Sequence, residues 1–260
     1  MQFIYPKIKV SVLLILFITT AFKTYSQTNS EISLYTKFDS IVGKKNLEIY
    51  NGPRQINYYR TFDKSHSYYS TDNFTLGNVL YNKQYYYDIE LKYDVNNDQL
   101  VIKPIDEYNY LGIILSKEKT ASFTINKRKF VNLNYGNPIL PEYINGYYEE
   151  IIIGNTLIFY IKNQKTRKKI IDNKQTSDGT EQITYDEFTD KNTYYIKLKN
   201  TFYSINSKKE IITIFPENKK EIKEYYSKNS ELEQSNKELF LENILKYINP
   251  HLLINQTKNE

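Results

Sequence analysis

The sequence contains no cysteine and no tryptophan, and only 8 of its 260 residues are glycine. Without cysteine there is no disulfide, no thiolate metal site, no cysteine nucleophile and no lipobox thiol for a lipid to modify. The chain also has no glycine-rich phosphate loop. Its length nevertheless suffices for a sizeable apolar core, so the fold needs no covalent cross-link.

Strong positive charge is lacking as well. The net charge is +5, but Lys7, Lys9 and Lys23 lie in a leader that we expect to be removed, which leaves 5 − 3 = +2. Nucleic-acid binding requires a clustered basic face, so we expect no nucleic-acid partner. A charged fraction of 25% and a mean hydropathy of −0.62 are typical of a soluble globular chain.

The N-terminus has the order of a cleavable signal peptide. Lys7 and Lys9 precede the apolar run Val10–Phe22, and the small residues Thr24 and Ser26 precede Gln27. The alternative is a membrane anchor, which needs about 20 apolar residues, and this run is shorter. We therefore expect residues 1–26 to be a signal peptide and the mature chain to be exported, soluble, periplasmic or extracellular, and not a lipoprotein.

Most of the chain then follows the period of β-strands. Between residues 85 and 95 apolar and polar residues alternate strictly, which predicts a half-buried strand with Ile89 and Leu91 in the core and Glu90 and Lys92 in solvent. Turn residues between strand-like runs predict hairpins at Asn82-Lys83, Asn126-Lys127 and Gly154-Asn155, and Asp178-Gly179 marks a further turn. Leu47–Tyr50 is predicted as a short strand, Tyr194–Leu198 and Thr201–Ile205 as a last pair, and residues 163–178 as a polar, basic loop.

Near residue 207 the period becomes helical. Ser207 and Glu210 form a capping box, Pro216 suits the first turn of a second helix, and Ser235 to Glu238 repeats the box pattern. Asn249-Pro250 is expected to end the last helix. Its apolar stripe is Phe240, Leu241, Ile244, Leu245 and Ile248.

These patterns predict a mainly β fold in one domain, residues 27–260. We expect an antiparallel, curved sheet of about 8–10 strands with amphipathic helices, residues 207–249, packed on it. A β-sandwich with a helical extension is the alternative. An outer-membrane barrel is disfavoured because charged strand faces would meet lipid.

No catalytic, cofactor-binding or metal residue is assigned. Asp94–Asp98 resembles a calcium loop, but Gln99 and Ile105 replace the glycine and glutamate that the loop requires, so a hairpin turn is the simpler interpretation. His66 and His251 have no partner at metal-ligand spacing. The acid pairs Glu149-Glu150 and Asp186-Glu187 point to opposite strand faces and are interpreted as solvated edges. The basic run Lys162–Lys169 could contact anionic lipid headgroups or lipopolysaccharide phosphates, and the alternative is a solvated loop.

The 27 tyrosines form the most unusual feature of the composition. AT-rich codons and sheet packing explain them, and a sugar- or peptide-binding aromatic platform is the functional alternative.

Four short motifs carry a resemblance: Tyr50-Asn51-Gly52, the run Gly77–Asp94, Gly146-Tyr147-Tyr148-Glu149, and Phe215-Pro216. Together they resemble a family of uncharacterised exported β-rich proteins of Gram-negative bacteria. The resemblance implies that the chain is exported and has a β-rich fold. It implies no activity.

Two classes of function remain open. The first is a non-catalytic envelope protein that binds a protein partner, glycan or other ligand through a Tyr-rich sheet surface. The second is a hydrolase of envelope or extracellular polymers with scattered site residues, which a polar cleft with convergent carboxylates would favour.

Overall fold

The computed structural model describes residues 24–62, 64–105, 111–136, 138–154, 157–176 and 179–256. The apolar run expected for a signal peptide and the side chain of His251 lie outside this part. In chain order the elements are α1 (Thr24–Val42), β1 (Arg54–Gln55), β2 (Thr75–Tyr81), β3 (Gln84–Asp94), β4 (Gln99–Ile102), β5 (Gly112–Ile114), β6 (Thr120–Ile125), β7 (Arg128–Asn132), β8 (Tyr147–Ile153), β9 (Leu157–Lys162), β10 (Lys165–Thr176), β11 (Gly179–Asp190), β12 (Thr193–Leu198), β13 (Thr201–Ser204), α2 (Lys208–Ile214), α3 (Lys219–Lys228), α4 (Ser230–Ser235) and α5 (Lys237–Gln256). Short 3-10 turns occupy Lys44–Asn46, Glu48–Tyr50 and Pro216–Asn218.

Eleven of the described strands form one open antiparallel sheet in the order β1-β5-β4-β3-β2-β6-β7-β8-β9-β12-β13. β10 and β11 form a separate two-stranded sheet. The predicted mainly β class with C-terminal helices is therefore confirmed, with one strand more in the main sheet than the expected upper limit. One sheet, rather than the two sheets of a sandwich, carries the fold.

The strands on either side of the three predicted hairpin turns pair as expected: β2 with β3, β6 with β7, and β8 with β9. Asn155 of the third turn lies outside the described residues, so the turns confirmed in full are Asn82-Lys83 and Asn126-Lys127. Asn82 and Lys83 have φ of +48° and +67°, and Asn126 and Lys127 have φ of +49° and +65°. Two consecutive residues with positive φ make the turn that matches the twist of a tight antiparallel hairpin. Gly154 likewise has φ of +66°, where glycine is favoured.

The strict alternation predicted for β3 is wrong in its first half. Gly77 pairs with Ile89 but Val79 pairs with Tyr86, so β3 contains one extra residue. Asp88 occupies this bulge with φ of +53°, and its N–H donates to the Asn78 side chain at 3.2 Å. The bulge reverses the register, so Tyr86 rather than its two neighbouring tyrosines is buried.

Ile89 and Leu91 lie in the core and Glu90 is exposed, as predicted, but Lys92 is buried at 7% exposure. Its ammonium lies 4.1 Å from the centre of the Tyr68 ring and 4.6 Å from that of Phe74. Aromatic faces attract a cation, which explains why a lysine can take this position. Burial lowers the pKa of Lys92.

Two apolar cores cover one face of the sheet. The first lies on β2 to β8 and includes Leu47 and Ile49, whose 3-10 turn replaces the predicted strand there. The second lies on β8, β9 and β12 beneath the C-terminal helices. It contains the whole predicted stripe of α5, and all five of its side chains have 0% exposure. Tyr148, Tyr160 and Phe202 belong to a third, smaller hydrophobic cluster that is separate from these two cores.

The helix caps are partly as predicted. The Ser207–Glu210 capping box is present. The second box is wrong, because α5 begins one residue later, where the Asn236 side chain accepts from the N–H of Leu239 at 3.0 Å. The predicted end at Asn249-Pro250 is also wrong. Proline removes one helical hydrogen bond, yet the helix continues to Gln256.

Truncation should distinguish the two faces of β3. Leu91 has no exposed surface, so Leu91→Ala is expected to reduce the free energy of unfolding by about 2–5 kcal/mol. Glu90→Ala, at an exposed position where the carboxylate lies 3.1 Å from Lys103 Nζ, should change it by less than about 1 kcal/mol. Urea unfolding followed by circular dichroism measures both. Equal effects would contradict the register of this strand.

Candidate functional site

The first candidate site lies on the two-stranded sheet of β10 and β11, which we call the arm. β9 runs into β10 through residues 163–164, and β11 returns to β12 through residues 191–192. β9 and β12 pair with each other in the main sheet, so the arm continues their hairpin beyond it. Of the predicted loop 163–178, residues 165–176 are thus strand and the last two lie outside the described residues.

Charge complementarity runs along the arm. Each lysine of β10 lies opposite an acid of β11, in the pairs Lys165–Asp190, Lys168–Glu187, Lys169–Asp186 and Lys174–Glu181. An isolated two-stranded hairpin is marginal in water, and opposite charges directly across a pair contribute roughly 0.2–1 kcal/mol each. The basic run and the acid pair at 186–187, interpreted separately from the sequence, therefore stabilise one element together.

Residues 59–62 and 64–65 run along the outer edge of β11, and we call them the crossing segment. The N–H of Asp186 donates to the carbonyl of Arg60 at 2.7 Å, and the N–H of Phe188 donates to Ser65 Oγ at 2.8 Å. The Tyr59 ring contacts the Phe188 ring edge-on, with 5.0 Å between centres. These contacts hold the arm to the connection between β1 and β2.

A cavity of about 570 Å³, the arm groove, opens between the arm and the crossing segment. Phe62 is 65% exposed and Ile171 is 60% exposed, and the Phe62 and Tyr185 rings meet with 5.4 Å between centres. The full lining is Phe62, Lys64, Ser65, Ile170, Ile171, Asp172, Tyr185, Asp186, Glu187 and Phe188. Neighbouring exposed apolar side chains with a polar rim are typical of an interaction site.

The second candidate is built around Glu149, which has 0% exposure. On β8 it pairs with Phe130 of the first core and with Ile161 of the second. Directly opposed residues share a sheet face, so this carboxyl lies between the two cores. The interpretation of Glu149 as a solvated edge residue is wrong. Glu150 points to the other face, as expected, where its carboxylate contacts Lys129 at 2.7 Å.

Three polar side chains from different parts of the chain contact Glu149, and one of them also contacts Glu238. The Tyr69 hydroxyl donates to its carboxylate at 3.4 Å, and Asn163 Nδ2 donates at 3.2 Å. Arg128 Nη1 lies 3.3 Å from the other carboxylate oxygen, and Arg128 Nη2 lies 3.4 Å from Glu238 of α5. We call the set Glu149, Arg128 and Glu238 the buried junction, because it joins the sheet to the last helix.

The buried junction has unusual protonation equilibria. Burial first, and the nearby Glu238 carboxylate second, raise the pKa of Glu149 to about 7 against the opposing effect of Arg128. Burial also raises the pKa of Glu238. A buried carboxyl that is protonated near neutral pH is a property of general acids in active sites.

A polar pocket of about 230 Å³ lies beside the buried junction, lined in part by His66, Tyr69, Lys165 and Glu238. Lys165 Nζ donates to the carbonyl of His66 at 2.9 Å and lies 3.4 Å from its Nδ1. Burial and the neighbouring ammonium lower the pKa of His66. The pocket is smaller than the roughly 300–1,000 Å³ of ligand sites for small molecules.

The calcium-like motif is a turn. Asp94 accepts hydrogen bonds from the N–H groups of Asn96 and Asn97, each at 3.1 Å. The Asp98 carboxylate contacts Lys117 at 2.6 Å and Lys162 at 3.1 Å. Among the described residues no group of three histidines, aspartates or glutamates is placed to hold a metal ion.

Of the residues that line the arm groove, the acid pair Asp186-Glu187 was interpreted from the sequence as a solvated edge rather than as part of a site. One signal was available, because Asp178-Gly179 is flanked on its C-terminal side by β-forming residues such as Ile183, Tyr185 and Phe188. The tyrosines of the main sheet mostly serve the core. Tyr68, Tyr93, Tyr147 and Tyr148 are each 1% exposed.

Comparisons with known proteins find no match for this chain among family models, curated proteins or solved structures. In the part of the chain that the structure describes, no helix is long and apolar enough to span a membrane.

The raised pKa of Glu149 predicts how stability depends on pH. Because folding favours its protonated form, the stability contribution is complete below pH 4.5 and is lost as the pH rises to about 7. At 1.36 kcal/mol per pKa unit the loss is about 3 kcal/mol. Glu149→Gln should abolish this loss and make the protein more stable than the wild type at pH 8, measured by urea unfolding at pH 5, 6, 7 and 8.

Glu150→Gln is the matched control, because it makes the same chemical change on the opposite face. It should retain the pH dependence of the wild type. If Glu149→Gln also retains that dependence, the carboxyl at 149 is ionised in the folded protein and the assignment is wrong.

Proposed function

We propose that this chain is a non-catalytic binding protein that holds a partner polypeptide in the arm groove. The single observation that carries this proposal is the open apolar groove with Phe62 and Ile171 exposed in its walls. Its volume lies within the roughly 300–1,000 Å³ of ligand pockets. Its rings offer large contact areas with few rotatable bonds, which favours protein recognition.

We place the binding surface on the arm because most tyrosines of the main-sheet strands are buried. Tyr93, Tyr147 and Tyr148 are buried, whereas the arm groove combines Phe62 and Tyr185 in one open cavity. Apolar walls with a charged rim suit the side chains and backbone of a polypeptide. A glycan, the rival ligand, would require more hydrogen-bonding groups within the walls themselves.

The hydrolase remains the second candidate, and the buried junction is the observation that favours it. A carboxyl with a pKa of about 7 is suited to act as a general acid. Three features disfavour this function: Glu149 has no exposed surface, it does not line the polar pocket, and that pocket is small. Loss of a hydrolytic activity in Glu149→Gln, with Glu150→Gln unaffected, would establish the enzyme class instead.

The compartment belongs to the proposal too. We propose that the chain is exported after cleavage behind Ser26 and binds an envelope protein in the periplasm or outside the cell. The order of Lys7, Val10–Phe22 and Ser26 supports export. Cleavage there would remove the first three residues of α1 and leave its contacts with β3, such as Tyr35 to Tyr87, in place.

Photo-crosslinking tests the arm groove. Benzoylphenylalanine in place of Phe62 or Ile171 should form an adduct with one discrete protein in the cells that produce the chain. Ile152, which is 67% exposed on the main sheet, is the matched control and should give no such adduct. Identical adducts at all three positions, or none at Phe62 and Ile171, would refute a partner polypeptide in the groove.

Intact mass spectrometry tests export. The protein recovered from the periplasm or medium should begin at Gln27, with the mass of a cyclised glutamine. Recovery of the mature protein with Met1 retained would contradict export through a cleaved signal peptide.

A further inference from the structure

The direction of the backbone groups along β10 follows from the hydrogen bonds of β11. Asp186 and Phe188 donate their N–H groups away from β10, to the crossing segment. In an antiparallel pair, residues opposite such positions also direct their N–H and C=O groups outward. Their opposite residues are Lys169 and Arg167.

The same alternation continues along the strand. The β10 residues whose backbone groups face the outer edge are therefore Arg167, Lys169, Ile171, Asn173 and Gln175. In the described part of the chain no strand pairs with this edge, whereas the crossing segment covers part of the β11 edge. All β10 residues from 166 to 175 are exposed. β10 thus presents an open row of donors and acceptors beside the arm groove.

Most of the charged side chains on this strand are basic. Arg167, Lys168, Lys169 and Lys174 are exposed, and Asp172 is the acid among them. Strands in a sheet lie about 4.7–4.9 Å apart, so a strand added to β10 would meet these cations directly. The acids of β11 would lie about twice as far from the added strand as the cations of β10. Their repulsion of an acidic strand would therefore be weaker than the attraction by those cations.

Lysines on an edge strand also oppose pairing with a second copy of the same strand, which is a common protection against aggregation. Pairing of two β10 edges would bring like charges together. An acidic strand experiences the opposite effect, because each cation attracts it. The edge therefore discriminates against self-association and in favour of an acidic partner.

We propose that the outer edge of β10 adds an extended acidic segment of the partner polypeptide as a third strand of the arm. This inference rests on the proposed function and specifies its mode: backbone hydrogen bonds to the edge, basic side chains that select acidic residues, and the arm groove as a neighbouring pocket.

Two synthetic peptides serve as probes, each of seven residues with blocked ends. One alternates glutamate with valine, and the other alternates lysine with valine. We expect the acidic peptide to bind at least tenfold more tightly, measured by isothermal titration calorimetry at low ionic strength, with the preference reduced by added salt. Equal binding of both peptides, or no binding of either, would overturn the proposal.

Two variants test the edge itself. Ile171→Pro removes an outward N–H without removing a bond to β11, and proline is tolerated on strand edges. It should abolish binding of the acidic peptide while the melting curve stays unchanged. The triple variant Lys168→Gln, Lys169→Gln, Lys174→Gln should reduce the preference for the acidic peptide to about onefold.

The control makes the same change at three exposed lysines of α3, Lys219, Lys220 and Lys223, and should retain the preference. If Ile171→Pro unfolds the arm, the triple variant alone decides. A dimer of the wild type in sedimentation velocity that Ile171→Pro dissolves would overturn the proposal, because the occupant of the edge would be a second copy. If crosslinked adducts form at Phe62 but the variants bind the acidic peptide as the wild type does, strand addition at the β10 edge is wrong. The arm groove then remains the proposed site.

Discussion

The burial of the Glu149 carboxyl between the two apolar cores is the constraint on which their junction depends. A carboxyl without exposed surface costs several kcal/mol unless it is protonated or paired. Arg128 approaches it from β7, and the same guanidinium reaches Glu238 at the start of α5. The last helix therefore meets the sheet through a polar contact at its first turn and through its apolar stripe thereafter. This contact fixes where the second core begins.

The turns of the main sheet could be predicted from the sequence because their chemistry is local. Asn82-Lys83 and Asn126-Lys127 each need only two residues that tolerate positive φ. The bulge at Asp88 could not be predicted, because it appears only in the pairing of β3 with β2. Lys92 was misplaced for a similar reason, since the rings that hold its ammonium come from a distant segment.

The candidate sites could not be predicted from the sequence because their residues contact partners that are distant along the chain. The charges of β10 predicted a loop, and their neutralisation by acids of β11 becomes evident only once the strands are paired. Glu149 looked like half of a solvated acid pair, and its burial depends on Arg128 and on Asn163, neither adjacent to it in sequence. The fold class could be predicted from the period-two alternation of apolar and polar residues, which identifies each strand separately. This alternation contains no information on which strands pair with each other.

The arm groove and the buried junction are joined by a short stretch of chain. Ser65 holds the Phe188 N–H of the arm, and the hydroxyl of Tyr69, four residues later, holds Glu149. Lys165 at the base of the arm donates to the carbonyl of His66 between them. The crossing segment, which forms one wall of the arm groove, is thus attached to the main sheet at the C-terminal end of the segment. A fixed wall loses less conformational freedom when a partner binds, so an open groove on a projecting hairpin can still bind with useful affinity.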